Sequence, residues 1–288
     1  MTKVNEDYPK KQLSDEKLKA LATAKYESKE DNSDTEVNAY DFPTEIVELP
    51  SRGKLYPKDH ILSSGTVEMK YMSAKEEDIL TNQSYIKQGV VLDKLFKALI
   101  VSPINYNDLL ICDKNAIMIA SRILGYGKDY RATVINPETG DEVKAHIDLT
   151  ELKEKEINWS LIKDHTNEFD FQLPVSGKNI KLKILTQSDQ NKIDAETKGL
   201  KKLKKDATST TLLKHVITEL DGSDSKKDIR KFVDTELLAI DSRSIRKFLR
   251  EVTPDIDLSI QVPDEETGDT FRSQLIVGMD FFWPDIEI

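Results

Sequence analysis

The residues able to do chemistry in this chain are scattered. Four histidines stand at positions 60, 146, 165 and 215, without metal-ligand spacing, so packing or surface roles are expected of them. Cys112 is the single cysteine, which excludes an internal disulfide and any multi-cysteine metal site. Its setting in the apolar run Leu109-Leu110-Ile111-Cys112 reads as a small buried hydrophobe. No H-E-x-x-H, G-x-S-x-G or phosphate-loop signature occurs. Gly125-Tyr126-Gly127 follows an expected helix, not a strand, so it reads as a helix end instead of half a dinucleotide fingerprint. Acidic residues are so abundant, 52 of 288, that carboxylate pairs arise by composition and identify no acid/base couple. The expectation is a non-enzymatic protein without catalytic residues, cofactor or metal, a carboxylate hydrolase being the remote alternative.

Charge points to protein partners. The net charge of −10 argues against nucleic-acid binding through bulk charge. The one basic run, Lys198 to Lys205, has no interleaved aromatic to stack a base, and suits a solvated helix or an acidic protein partner. No apolar stretch approaches the ~20 residues of a spanning helix, so no membrane partner is expected. The start MTKVNEDYPKK lacks the apolar segment of a secretory signal, so a cytoplasmic site of synthesis is expected. The oligomeric state is not written in the sequence.

What must position these residues is a repeated unit. Residues 107–141 and 235–269 align without a gap at an offset of 128, with eleven identities in 35 positions where average usage gives roughly two. The shared residues include Asp113 and Asp241, Ile117 and Ile245, Arg122 and Arg250, and an E-T-G-D turn ending in Gly140-Asp141 and Gly268-Asp269. Upstream, Val67–Ser73 matches Ile180–Thr186 at an offset of 113. Asp113 and Asp241 stand where helix N-caps are expected. Arg122 and Arg250 suit helix C-termini, with a buried carboxylate as a further candidate partner. Gly140 and Gly268 suit the left-handed position of a bulged hairpin.

The fold class implied is α+β: two related helical modules, residues 41–150 and 176–288, each ending in a β-hairpin and joined by a charged connection at 151–175. Residues 1–40 are too polar to offset the entropy of ordering and read as a mobile arm. Within it, Ser14 could cap a short helix whose Leu18 and Leu21 fold against a partner. Val67, Met69 and Tyr71 alternate as a strand; Ser73 with Glu76, and Thr186 with Asp189, open helices. Val91, Leu95, Phe96 and Leu99 recur at helical spacing, and 212–220 reads as a further helix. The end, Phe281-Phe282-Trp283-Pro284, is unusually aromatic. If extended, its neighbours face opposite ways, so Phe281 is expected to close the core and Phe282 or Trp283 to anchor a partner.

Leu49–Tyr56 (LPSRGKLY), Met72–Leu80 (MSAKEEDIL), Asp113–Ile117, Arg122–Gly127 and Phe281–Pro284, in this order, resemble the baseplate hub protein family of T-even-type contractile-tailed bacteriophages, over roughly residues 45–288. The resemblance implies a non-enzymatic component of the central baseplate hub whose partners are other tail or hub proteins. The alternative within the same class is a chaperone that holds a tail component such as the tape measure. Location follows: the host cytoplasm during assembly, then the tail baseplate. Some relatives look as if they carry C-P-x-C-G knuckles where this chain has Asn136-Pro-Glu-Thr-Gly140 and Asp264-Glu-Glu-Thr-Gly268. The thiolates are missing here, so no zinc site carries over.

Overall fold

Alternation of Val67 and Met69 with Thr66, Glu68 and Lys70 drives the first strand pair: two apolar side chains go inward and the polar ones outward. The computed structural model describes residues 43–137, 139–202, 208–263, 270–278 and 280–282. Strand β1 (Thr44–Glu48) runs antiparallel to β2 (Thr66–Lys70), and Ile100 adds a bridge to Met69. Helices α1 (Ala74–Thr81), α2 (Gln83–Gln88), α3 (Val91–Leu99) and α4 (Ile111–Tyr126) follow, then the hairpin of β3 (Asp129–Ile135) and β4 (Glu142–Asp148). The other half carries β5 (Lys153–Glu154), β6 (Phe169–Gln172), β7 (Asn179–Leu182), α5 (Gln187–Lys202), α6 (Thr208–Val216) and β8 (Ile217–Leu220). It ends with α7 (Lys226–Thr235), α8 (Ala239–Val252), β9 (Ile256–Asp257) and the hairpin strands β10 (Ser259–Pro263) and β11 (Thr270–Gln274). Strands β6, β7 and β8 form a three-stranded antiparallel sheet, and β5 pairs with β9. The class is α+β.

Buried residues from Leu49 to Phe282 form one continuous core across both expected modules. Backbone bonds also cross between them, Ile111 N–H to the Leu185 carbonyl at 2.9 Å and Gln187 N–H to the Leu109 carbonyl at 2.8 Å. The stretch expected as a charged connection contributes β6 and the buried Phe169 and Leu173. It also covers the loop after β1: Arg52 pairs with Glu154 at 2.6 Å and lies over the Trp159 ring, and His165 N–H donates to the Lys54 carbonyl.

Three local expectations change. Residues 212–220 do not stay helical. The helix ends at Val216, and Ile217–Leu220 pairs with β7, so the β-branched Ile217 and Thr218 serve a sheet edge. Helix α7 was not anticipated, although Ser225 caps it and Ile229, Phe232 and Val233 give it an inward face. Gly125 lies inside α4, close against Met72, and only Gly127, at φ +86°, ends the helix.

The loop between β1 and β2 is closed backbone to backbone. A Cβ on Gly53 (φ +72°) would stand 2.2 Å from the Ser63 carbonyl oxygen and 2.6 Å from its carbon. Gly140 (φ +81°) has open space around its Cα. Gly53→Ala is therefore expected to lower stability by about 3 kcal/mol or more, against about 1 kcal/mol for Gly140→Ala, where only the left-handed backbone resists. Urea titration of both variants checks this; equal losses would remove the steric argument.

Candidate functional site

Helix α4 starts from Leu110, not from Asp113: the aspartate sits one turn in and points into the protein. It is fully enclosed and accepts three hydrogen bonds: from Ser51 N–H at 2.9 Å, Ser51 Oγ at 2.8 Å and the Tyr56 hydroxyl at 2.7 Å. That hydroxyl in turn accepts from Leu110 N–H at 2.9 Å. Burial, with a smaller push from Asp255, raises the Asp113 pKa to about 6 against these donors, and burial beside Asp113 raises that of Tyr56. Asp241 repeats the placement. It too lies one turn inside its helix, α8, whose N-cap is Leu238, and accepts from Val175 N–H at 2.9 Å and Ser176 N–H at 3.1 Å. Burial opposes its charge, but these N–H donors outweigh it and hold its carboxyl below the usual range.

The expected N-cap role of Asp113 and Asp241 is thus replaced by a tether. Each carboxylate holds the loop that follows a first strand, Leu49-Pro50-Ser51 after β1 and Leu173-Pro174-Val175 after β6. A helix-start aspartate can either cap its own backbone or reach across to another segment. Here leucine fills the cap position in both helices, and the aspartates reach across. The tethered loops share Leu-Pro and a left-handed glycine three residues after the proline, Gly53 and Gly177. Ser51, Tyr56, Val175 and Ser176 escaped the sequence reading; the recurring Leu-Pro, 124 positions apart, is the signal that finds them.

A second matched set lies at the helix starts. Ser73 N–H and Oγ donate to Glu76, which also takes Lys70 Nζ at 2.9 Å; Thr186 N–H and Oγ1 donate to Asp189, which takes Lys183 Nζ at 2.7 Å. The spacing, Lys-x-x-Ser/Thr-x-x-Glu/Asp, is the same in both. Despite burial, these donors keep both carboxyls below their usual pKa.

Arg122 and Arg250 diverge. Arg122 is buried between the rings of Tyr126 and Tyr130, and donates through Nε to the Phe281 carbonyl at 3.1 Å and through a terminal nitrogen to the Gly127 carbonyl. Its partners are carbonyls and aromatic faces, not the carboxylate considered from sequence. Arg250 is exposed. Phe282 is also corrected. It is fully buried, 6.5 Å from the Phe96 ring and edge-on to Phe281. The chain at Asp280–Phe282 is a 3-10 turn, in which successive side chains are about 120° apart, so both phenylalanines reach the core. Gly140 takes the left-handed conformation in the β3–β4 turn, with its N–H on the Asn136 carbonyl. Leu18, Leu21, Trp283 and Gly268 lie outside the described residues.

Beside the Asp113 tether, a groove of about 480 Å3 is lined by Phe96, Ile111, Leu185 and Leu249, with Asn115 and Asp255 hydrogen-bonded to each other. Cys112 borders it as a protonated thiol, its pKa raised by burial and by the neighbouring aspartates. His60 stacks on Tyr56, His165 faces the Tyr56 carbonyl, and His215 lies against Glu196. Among the described residues no three His, Cys, Asp or Glu side chains are grouped to hold a metal ion. The two most enclosed carboxylates, Asp113 and Asp241, hold loops in place.

The model of one protein family, the T4 bacteriophage base plate protein, matches residues 43–283, which include both tethers, both helix-start sets and the Arg122–Phe281 contact. The chain belongs to this family. It is a bacteriophage baseplate protein, and it works among other baseplate proteins. Comparison with curated proteins and with solved structures gave no match. No helix among the described residues of this baseplate protein is long and apolar enough to cross a membrane.

Proposed function

We propose that this baseplate protein is a non-enzymatic structural or assembly component of the baseplate hub of a contractile tail, and that it acts through binding surfaces. The observation that carries this reading is the family match across residues 43–283. The geometry supports it: Asp113, Asp241, Glu76 and Asp189 each serve to fix a loop or helix start, as a rigid scaffold requires. The matched tethers, and the pairing of Ile100 with Met69 as Ile217 pairs with Leu182, support an origin by duplication of one α+β unit. The modules at 41–150 and 176–288 would be its two copies. Partners are other tail or hub proteins. Trp283, Leu18 and Leu21 are proposed as contacts on sequence grounds alone.

A second reading, a chaperone that holds a tail component and leaves, is favoured by the net charge of −10, which keeps a free protein soluble. Mass spectrometry of purified virions separates the two. The hub reading expects the chain in virions at constant stoichiometry with other baseplate proteins. The chaperone reading expects it in infected-cell extracts and in assembly intermediates only. Turnover of a hydrolase substrate panel by the purified protein would overturn the non-enzymatic reading.

A further inference from the structure

The chain is acidic as a whole, yet residues 178–247 carry 17 Lys or Arg against 11 Asp or Glu, while residues 248–288 carry 2 against 10. Part of this basic set lines a cleft of about 490 Å3 formed by α5, α6, β8 and α7. Five cations line it, Lys183, Lys192, Lys214, Lys226 and Arg230, against three carboxylates, Asp189, Glu196 and Asp224. Two of those carboxylates are already taken. Glu196 accepts both terminal nitrogens of Arg230, at 2.7 and 2.8 Å, and lies 3.2 Å from His215; Asp189 holds Lys183 and the Thr186 backbone. Lys214 turns to Asp234 at 2.6 Å. Lys192 reaches no closer than 4.0 Å to the crowded Asp189, and among the described residues no ion pair engages Lys226.

Lys183, Lys214 and Arg230 have carboxylate partners within the fold, but Lys192 and Lys226 have no close one among the described residues. Lys226 and Lys227 occupy the first turn of α7, where the helix dipole favours anions and opposes cations. Lys198, Lys201 and Lys202 are exposed on other sides of α5, the last two in its C-terminal turn, where the dipole favours cations. Lysines held where they cost stability mark a surface kept for a ligand.

We propose that this cleft docks an acidic segment of a partner protein, whose carboxylates pair with Lys192 and Lys226. The proposal rests on the reading of the protein as an assembly component and names its partner's chemistry. A peptide segment fits better than a nucleic acid. The lining offers no Phe, Tyr or Trp ring to stack a base, its one imidazole, His215, lies against Glu196, and a continuous phosphate chain would meet Asp189, Glu196 and Asp224 as well as the lysines. A short acidic segment can place single carboxylates between them.

The test uses the full chain and a fluorescein-labelled peptide of alternating Glu and Gly, read by anisotropy at low and high salt. Binding is expected to weaken with salt, and Lys192→Glu with Lys226→Glu should weaken it about tenfold or more, with Lys192→Gln and Lys226→Gln intermediate. The control pair Lys75→Glu and Lys144→Glu, exposed in the other half, should change it by less than about twofold. Circular dichroism verifies that each variant is folded. The proposal is overturned if the wild type binds no peptide, if the cleft and control variants bind alike, or if an oligothymidine of equal charge binds more tightly and depends on the same lysines. Failure of peptide binding while virions still contain the protein would sink the cleft and spare the assembly reading. Peptide binding by a protein missing from virions and baseplate intermediates alike would do the reverse.

Discussion

Phe282→Ala is expected to cost the protein about 3–5 kcal/mol of stability, the usual range for truncating a buried aromatic. The side chain is fully enclosed, with Phe96 on one side and Phe281 edge-on at 5.7 Å, and the turn carrying it is pinned by the Arg122 hydrogen bond to the Phe281 carbonyl. In urea titration the midpoint should fall while the slope stays the same, because the surface exposed on unfolding barely changes. A phage with this substitution should lose soluble protein and, for that reason, complete baseplates. Ile276→Ser is the contrast. That side chain is 87% exposed, so its removal should change stability by no more than about 0.5 kcal/mol. If Phe282→Ala kept wild-type stability and lost only assembly, Phe282 would be an interface residue after all.

The reason this residue was misread from sequence shows what a sequence carries. Alternation in Val67-Glu68-Met69 and the helical spacing of Val91, Leu95, Phe96 and Leu99 specify which faces are buried, and α3 and β2 appear where those patterns place them. The side-chain period depends on the backbone conformation, however. Phe281 and Phe282 face apart only if the chain is extended, and two residues cannot reveal a 3-10 turn. Ile217 and Thr218 fail in the same way: a short apolar run suits helix or strand, and the free edge of β7 decides for strand. The tethers were half legible. Identity at Asp113 and Asp241 marked both carboxylates, but a cap and a reach across the fold ask for the same residue at nearly the same place. The choice lies with partners 62 and 66 residues away, Ser51 and Val175. The basic cleft was not legible: its cations lie outside the run at 198–205, and Lys192, Lys226 and Arg230 meet only through packing of α5 against α6 and of α6 against α7.

The two tethers should respond to pH in opposite directions, and Asp113 should show the larger mutational effect. Asp113→Ala strands Ser51 N–H, Ser51 Oγ and the Tyr56 hydroxyl inside the protein, an expected loss of about 3–5 kcal/mol at neutral pH. Asp113→Asn keeps the volume and an acceptor for Ser51 N–H, so near pH 4, where the folded Asp113 is protonated, its loss should be about 1 kcal/mol. The ionisation is what distinguishes Asn from Asp. Asp113 titrates at about 6 in the folded protein, raised by burial and then by Asp255, whereas an unfolded aspartate titrates near 3.8. Between those values the folded state binds the extra proton. Its contribution is therefore complete below the unfolded value and is lost as pH rises through about 6, a decline on the order of 3 kcal/mol. Asp241 works the other way. Its carboxyl is held low by Val175 and Ser176, so its contribution is present above the unfolded value and is lost on acidification through the folded one. Urea titrations of wild type, Asp113→Asn and Asp241→Asn from pH 2 to 7 separate these terms, the Asp113 decline falling between 3.8 and about 6 and the Asp241 loss below 3.8. The Asp113→Asn protein should gain on the wild type as pH rises, because it lacks the decline. A stability difference that stays constant from pH 4 to 7 would mean that the Asp113 tether titrates like an ordinary surface carboxylate, and the enclosed geometry would no longer explain its chemistry.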